Sequence, residues 1–441
     1  MVARVSFVVA CVVLAARTAE AQGPYNLTAP VPNLATIFTD LFGPRGLIVD
    51  SLATLPGEQE HTAHFVSDFQ FNFGQFSTAL VSQLVSVPLP SPGGGFTFEF
   101  DPSLGVFQRT TQSFGPILTD RAETIGARRV SMGFALQRFT FDSVEGIALR
   151  QVPAVFTHDN AELRGGREDV VTTLNSIEAD VNQSTLFVTM GVTDRFDVSL
   201  AVPVVATDLR IVSTAQIQRL GTTNPLTHFF RQSDGSTGDF RLFTAVGSAT
   251  GLGDLMVRLK ATALKRASNG IAVGVDVRLP TGDEMNLLGS GAPGLQPFVI
   301  WSATYQRVSP HVNASYRWNG SSVLAGNPAT GESGPFPDQV NYGVGADVSV
   351  NSRLTIAFDV LGRYLIDAER LHVQDFHGLD GHSIFPNIVF ATDSYNALSG
   401  SIGLKGNVFG RLLLDLNLLF KLDENGLRDK ITPLIGLEYS F

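Results

Sequence analysis

The sequence predicts an all-β chain: an antiparallel barrel that crosses a membrane with its strands, with an N-terminal plug or hatch segment and a secretory leader ahead of it. Three observations carry this prediction. Segment after segment alternates apolar and polar residues, short turns alternate strictly with long polar loops, and the chain stops on an aromatic residue that closes such a segment.

The leader comes first. Arg4 precedes an apolar run from Val5 to Ala16, and Ala19-Glu20-Ala21 supplies a small-x-small site for a signal peptidase, leaving Gln22 as the mature N-terminus. Residues 1–21 are therefore expected to direct export. Cys11, the one cysteine, lies inside that run, so the mature chain would carry neither disulfides nor thiolate metal sites. In 441 residues with a hydrophobic content of 44% and a charged content of 16%, no later stretch approaches the roughly 18 uninterrupted apolar residues of a membrane-spanning helix. The net charge of −10 argues against a nucleic-acid partner.

Residues 22–125 are expected to form the plug, sitting in or under the barrel and lending it one strand. The stretch up to about residue 60 is rich in Pro, Gly and Thr, with a short amphipathic helix predicted at NLATIFTDLF. Phenylalanine then becomes dense: Phe65, Phe69, Phe71, Phe73, Phe76, Phe96, Phe98, Phe100, Phe107 and Phe114 are candidate lining for a path taken by an apolar permeant. FSTALVSQLVS satisfies the helical and the strand period alike. SPGGG followed by FTFEFDPSLGVFQR reads as a turn and a short hairpin.

Residues 126–441 are expected to form the barrel. In GLGDLMVRLKATAL, Leu255, Val257, Leu259, Ala261 and Ala263 oppose Asp254, Arg258, Lys260 and Thr262. After the turn KRASNG, Ile271, Val273, Val275, Val277 and Leu279 oppose Ala272, Gly274, Asp276 and Arg278. HVNASYRW and RLLLDLNLLFKL continue the rule. Strands are predicted near 128–142, 147–158, 169–191, 196–212, 252–264, 271–280, 297–306, 310–319, 338–350, 354–365, 394–405, 410–422 and 431–441. The turns TDR, KRASNG, VSP, NSR and NVF alternate with long loops at 213–251, 280–296, 320–337, 366–393 and 423–430, which is the asymmetry of an outer-membrane barrel.

A soluble sandwich also alternates, but its outer face is crowded with charge. Here the polar face is sparse, mixing Gly, Ser, Asn and Ala with isolated charges of both signs, as suits an enclosed lumen. The apolar face carries Trp301, Tyr305, Tyr316, Trp318, Tyr342, Tyr364 and Tyr439, mostly near strand ends, where girdles sit. Asp254, Arg258, Lys260, Asp276, Arg278, Arg317, Asp347, Asp359, Arg363, Lys405, Arg411 and Asp415 are predicted to point inward, with Lys421 and Glu438. Two roles suit them: pairing across strands, and selection of a permeant.

A closed barrel leaves no free edge, so its last strand must pair with its first. Ile435, Leu437, Tyr439 and Phe441 alternate to an aromatic terminus, and this pattern resembles the signal read by the outer-membrane barrel assembly machinery.

At GLGDLMVRLK, GVDVRLPTGDEMNLLGSGAPG and SFGPILTDRAETIGARRVSMGF the chain resembles an outer-membrane family associated with the meta-pathway of phenol degradation, similar in turn to the long-chain fatty-acid and toluene channels. The resemblance implies a barrel of about fourteen strands, within a range of about twelve to sixteen, and passive uptake of small apolar or aromatic molecules. It rests on turn and strand residues: Gly251, Gly253, Asp254, Pro280, Thr281, Gly282 and Asp283. The N-terminal region lacks the asparagine-proline-alanine hatch motif of the fatty-acid channels; GNPAT at 326–330 is expected in an external loop.

His372, Asp375, His377, Asp380 and His382 are spaced for a divalent cation, but read better as a solvated loop. GSGAPG at 289–294 is not followed by Lys-Ser or Lys-Thr, so it is no phosphate cradle. No serine with a placed His and acid is legible. The expectation is a non-enzymatic channel without metal or cofactor, set in outer-membrane lipid. Its rivals are a structural or surface-binding barrel and a lipid-modifying barrel enzyme.

Overall fold

The computed structural model describes residues 28–30, 33–43, 46–52, 63–65, 95, 98–101, 106–109, 113–158, 168–232 and 234–441. The leader, FSTALVSQLVS and the Phe69–Phe76 stretch lie outside these. Twelve antiparallel strands close into a barrel. They are β1 Val130–Val144, β2 Val170–Thr193, β3 Phe196–Gln218, β4 in two collinear pieces (Phe240–Leu252 and Leu255–Lys265), β5 Asn269–Leu279 and β6 Gly294–Ala303. The circle continues with β7 Val308–Asn319, β8 Gln339–Asn351, β9 Leu354–Val373, β10 Ile388–Phe409, β11 Leu412–Lys421 and β12 Ile431–Ser440.

Closure is made by β12 on β1, with Ile435 opposite Leu136, Leu437 opposite Phe134 and Tyr439 opposite Met132. The Phe441 N–H adds a bond to the Val130 carbonyl at 2.8 Å. Pairing last strand with first satisfies backbone donors that hydrocarbon cannot.

The alternation fixes which face meets lipid. On β1 the outward Met132, Phe134 and Leu136 are 40%, 44% and 46% exposed, and the next outward residue is Arg138, paired with Asp180 of β2 at 3.8 Å. On β3 the outward side changes from Val198, Leu200, Val202 and Val204 to Asp208 and Arg210. The apolar band therefore ends near Leu136 and Val204, about nine residues from the turn side, which matches a hydrocarbon layer crossed by tilted strands of about 9–11 residues. Trp301, Tyr305 and Tyr439 edge it on the turn side and Trp318 and Tyr364 on the loop side, all exposed. Among the described residues no helix is long and apolar enough to cross a membrane.

Strands run on past the band. β2 has 24 residues and β3 23, so more than half of each rises beyond the lipid on the loop side. This corrects two expected loops: 213–251 contains the end of β3 and the upper piece of β4, and 366–393 contains the ends of β9 and β10. Outward residues there are polar, which reads as loop, while inward Ile211, Ala215 and Ile217 stay buried. The segment expected as a strand at 147–158 is not a separate stave. Val152–Thr157 continues β1 upward along β2, after a short hairpin at Ile147–Ala148. Strand number thus falls at the lower end of the expected range.

The two pieces of β4 pair with the same face of β3 and are parted at Gly253 and Asp254. A Cβ on Gly253 would lie 3.0 Å from Pro203 Cγ and 3.2 Å from the Leu288 carbonyl oxygen, so the loop 280–293 can fold against the wall only over a glycine.

Candidate functional site

The lumen is stoppered at both ends by chain from before β1. On the loop side, Leu34–Thr36 and the helix α1, Ile37–Phe42, turn Leu34, Ile37, Phe38, Leu41 and Phe42 into an apolar cluster inside the raised part of the barrel. Phe42 meets Phe156 edge-on at 5.0 Å and Phe243 at 5.5 Å. Thr28–Pro30 runs parallel to β4 beside Thr244–Val246. Each buried large side chain in this cluster contributes about 1.5–3 kcal/mol, so the stopper is held mainly by burial.

On the turn side, residues 113–127 thread across the lumen and are held by polar contacts. The Asp120 carboxylate lies 3.1 Å from Arg258 and 3.4 Å from Lys260. The Asp120 backbone N–H donates to Asn313 Oδ1 at 2.8 Å, and Asn313 Nδ2 donates to its carbonyl at 2.9 Å. Thr119 Oγ1 donates to Asp359 at 2.8 Å, and His311 Nε2 sits 2.9 Å from that hydroxyl and 2.6 Å from the same carboxylate. The Ser113 hydroxyl donates to Asp347. Thr262 Oγ1 donates to the Ala122 carbonyl at 2.7 Å, and the Ile125 N–H to Asp197 at 2.9 Å.

Between the stoppers lies a cavity of about 320 Å³. Its floor is Leu118, Thr119 and Asp120. One wall is apolar, with Phe139 and Phe141 of β1, Val181 and Phe187 of β2 and Val205 of β3; Leu287 and Leu288 fold in from the loop after β5. The facing wall is cationic, with Arg278 of β5, Arg317 of β7 and Arg363 of β9, whereas Arg428, beyond β11, lies opposite Ser143 and so stands beside β1. In a ring of twelve, β1 and β7 stand diametrically opposite. The cavity is thus two-faced.

Most lumen charges are paired. Arg258 makes a bidentate contact to Asp276, with Nε at 2.7 Å and Nη2 at 2.8 Å, and its guanidinium lies 4.9 Å from the Phe298 ring. Arg278 lies 3.8 Å from Asp254 and donates to Asn319 at 2.7 Å. Asp254 accepts from the Ser290 N–H at 2.8 Å and so ties the infolded loop to β4. Lys405 lies 3.1 Å from Glu438 and 3.7 Å from Asp415. Above the lipid, burial pushes the Arg428 guanidinium below its usual value, against the pull of Asp423 at 2.9 Å.

Of the residues expected inside, Asp254, Arg258, Lys260, Asp276, Arg278, Arg317, Asp347, Asp359, Arg363, Lys405 and Asp415 stand on the inner wall. Arg411 does not: it is exposed in the two-residue turn between β10 and β11, swung out by Gly410 at φ +57°. The plug phenylalanines divide. Phe65 is buried beside His158 and His228, at 5.3 and 5.0 Å, on the loop side, and Phe114 is buried against Leu413 at the floor. Neither lines the cavity. Phe98–Asp101 and Val106–Arg109 form the expected hairpin; Phe69, Phe71, Phe73, Phe76 and Phe96 lie outside the described residues. Ile435, Leu437, Tyr439 and Phe441 face outward. The spaced His and Asp residues of the β9–β10 loop do not converge, and no metal-ligand group occurs among the described residues.

Residues 175–361 match the family model described as "Putative MetA-pathway of phenol degradation". The matched stretch runs from within β2 into β9, including the break in β4 and the infolded loop. No curated protein matches the sequence. Among solved structures, the chain is similar to an outer membrane channel of Pseudomonas putida F1, with 12% identity over 73% of this chain and 99% of that one and a TM-score of 0.43. It is also similar to the toluene transporter TbuX of Ralstonia pickettii, at 12% identity over 72% and 90% with a TM-score of 0.31. A FadL homologue of Pseudomonas aeruginosa aligns at 10% identity over 71% and 89%, with a TM-score of 0.30.

Proposed function

We propose that this protein is a bacterial outer-membrane channel for passive uptake of small hydrophobic or aromatic compounds, working without covalent chemistry. The observation that carries the reading is the aromatic-walled cavity that stands in the lumen over the floor formed by Leu118, Thr119 and Asp120. A general pore needs an open lumen, whereas this one offers a compartment whose apolar wall holds a ring weakly, at about 25 cal/mol per Å² buried. The polar floor then governs release toward the turn side. Compounds of this class cross the lipopolysaccharide leaflet poorly, so a protein path serves a need. The phenylalanine-rich segment belongs to the same path in this reading, and the outward Ile435, Leu437, Tyr439 and Phe441 are the strand presented to the assembly machinery.

Filling the cavity tests the reading. Val205 is buried at its edge, and Val205→Trp places an indole in the space. Cells expressing the wild type should accumulate labelled toluene faster than cells without it, and the variant, present in the membrane at equal level, should lose that gain. Equal uptake by the filled barrel would remove the cavity from the transport path.

A further inference from the structure

Arg317, on the cavity's cationic wall, is a guanidinium that the described surroundings do not neutralise. Arg258 has Asp276 and Asp120, Arg278 has Asp254, and Arg428 has Asp423. Arg317 has no carboxylate in ion-pairing range among the described residues. Its Nε donates to Gln296 Oε1 at 2.6 Å, and Gln296 Nε2 donates to Ser315 Oγ at 2.9 Å. This neutral prop fixes the side chain by its inner nitrogen and leaves the two terminal nitrogens as a free fork at the cavity. Its charged neighbours include two cations, Arg278 and Arg258, and one acid, Asp276, which Arg258 already engages.

An arginine does not shed its proton, and a cation withdrawn from bulk water is costly unless an anion meets it. A fork of two parallel N–H groups fits a carboxylate. Half a barrel turn away stand Phe139, Phe141 and Phe187. We infer that the cavity binds a compact amphiphile, a ring-bearing monocarboxylate, with its anionic head on Arg317 and its ring against the β1–β3 wall. Asp120, Asp254 and Asp276 share the lining and disfavour a dianion. The volume of about 320 Å³ lies at the small end of ligand pockets and suits one ring with its head group. This inference rests on the uptake reading above and narrows its substrate class.

The test is equilibrium dialysis of the full-length protein in micelles, against protein-free micelles, with labelled benzoate, benzyl alcohol and acetate. Wild type should bind benzoate at least about tenfold more tightly than benzyl alcohol or acetate, the scale of a charge-assisted hydrogen bond. Arg317→Gln should lose that advantage and bind benzyl alcohol as before. Arg317→Lys, which keeps the charge but not the fork, should keep part of it, and this also guards against a Gln variant that fails to fold. Equal benzoate binding by wild type and Arg317→Gln would overturn the inference, as would acetate binding as tightly as benzoate, which would mark a small-anion site only. If wild type binds benzyl alcohol without preferring benzoate, the inference fails and the uptake reading stands. If it binds neither ring compound, the uptake reading fails too.

Discussion

Replacing Asp120 with Ala should unlatch the floor of the lumen. The carboxylate contacts Arg258 at 3.1 Å and Lys260 at 3.4 Å, and both cations are largely buried. Breaking a buried pair by removing one partner costs about 3–5 kcal/mol. The low end applies, because Arg258 keeps Asp276 and Lys260 keeps the Glu123 carbonyl at 2.9 Å. About 3 kcal/mol is roughly two orders of magnitude in the ratio of seated to displaced floor. The wall itself should survive, since its strands bond to one another without Asp120. The assay is single-channel conductance in planar bilayers together with arabinose flux into vesicles. Both should rise at least tenfold in the variant, and Asp120→Asn should fall between, keeping a side-chain oxygen that can accept from Arg258 and Lys260 but losing the charge; the backbone bonds to Asn313 persist in both variants. Unchanged conductance in a heat-modifiable, folded Asp120→Ala barrel would refute the reasoning, and an Asp120→Asn variant as tight as wild type would show that charge is not what holds the floor.

Three further outcomes follow from the same geometry. Phe441→Ser removes the outward aromatic terminus that packs on Tyr439 at 4.8 Å, and should reduce outer-membrane assembly while export continues, as read from heat-modifiable protein in membrane fractions. Val273→Arg sets a charge in the lipid band and should cost about 2–4 kcal/mol in folding into vesicles, whereas Ser399→Arg, inside the cavity, should cost far less; equal costs would invert the facing assignment. Changing Phe139 and Phe141 together to Ser should lower toluene uptake without raising arabinose flux, and a rise in arabinose with unchanged toluene would assign those rings to holding the stopper instead.

Much of the wall is legible in sequence because a barrel strand has only two faces. Val273 outward and Asp276 inward follow from period two alone, and so does the closing strand. The pattern fails where its contrast fades: above the lipid, outward Thr214 and Gln216 on β3 look like loop although Ile211 and Ala215 still face a core. Inward charges can be named but not paired, since pairing needs register. The main partner of Arg258 and Lys260 outside the wall, Asp120, lies far off in sequence in a stretch without periodicity. Leu287 and Leu288 were hidden for a different reason. They sit among loop residues, and that loop is turned inward by contacts distant in sequence, among them Asp254 with Ser290 and Thr207 with the Leu287 carbonyl. His311, clasped between Asp347 at 3.5 Å and Asp359, was visible as an inward residue but gave no sign that it holds the floor.

The most direct test of the uptake reading compares two solutes in one preparation: labelled toluene and labelled arabinose entering vesicles whose outer leaflet is lipopolysaccharide. Wild-type protein should speed toluene at least about tenfold over protein-free vesicles, while arabinose, excluded by the stoppered lumen, stays at the protein-free rate. Toluene entering no faster than without protein, in vesicles that hold folded barrel, would contradict it.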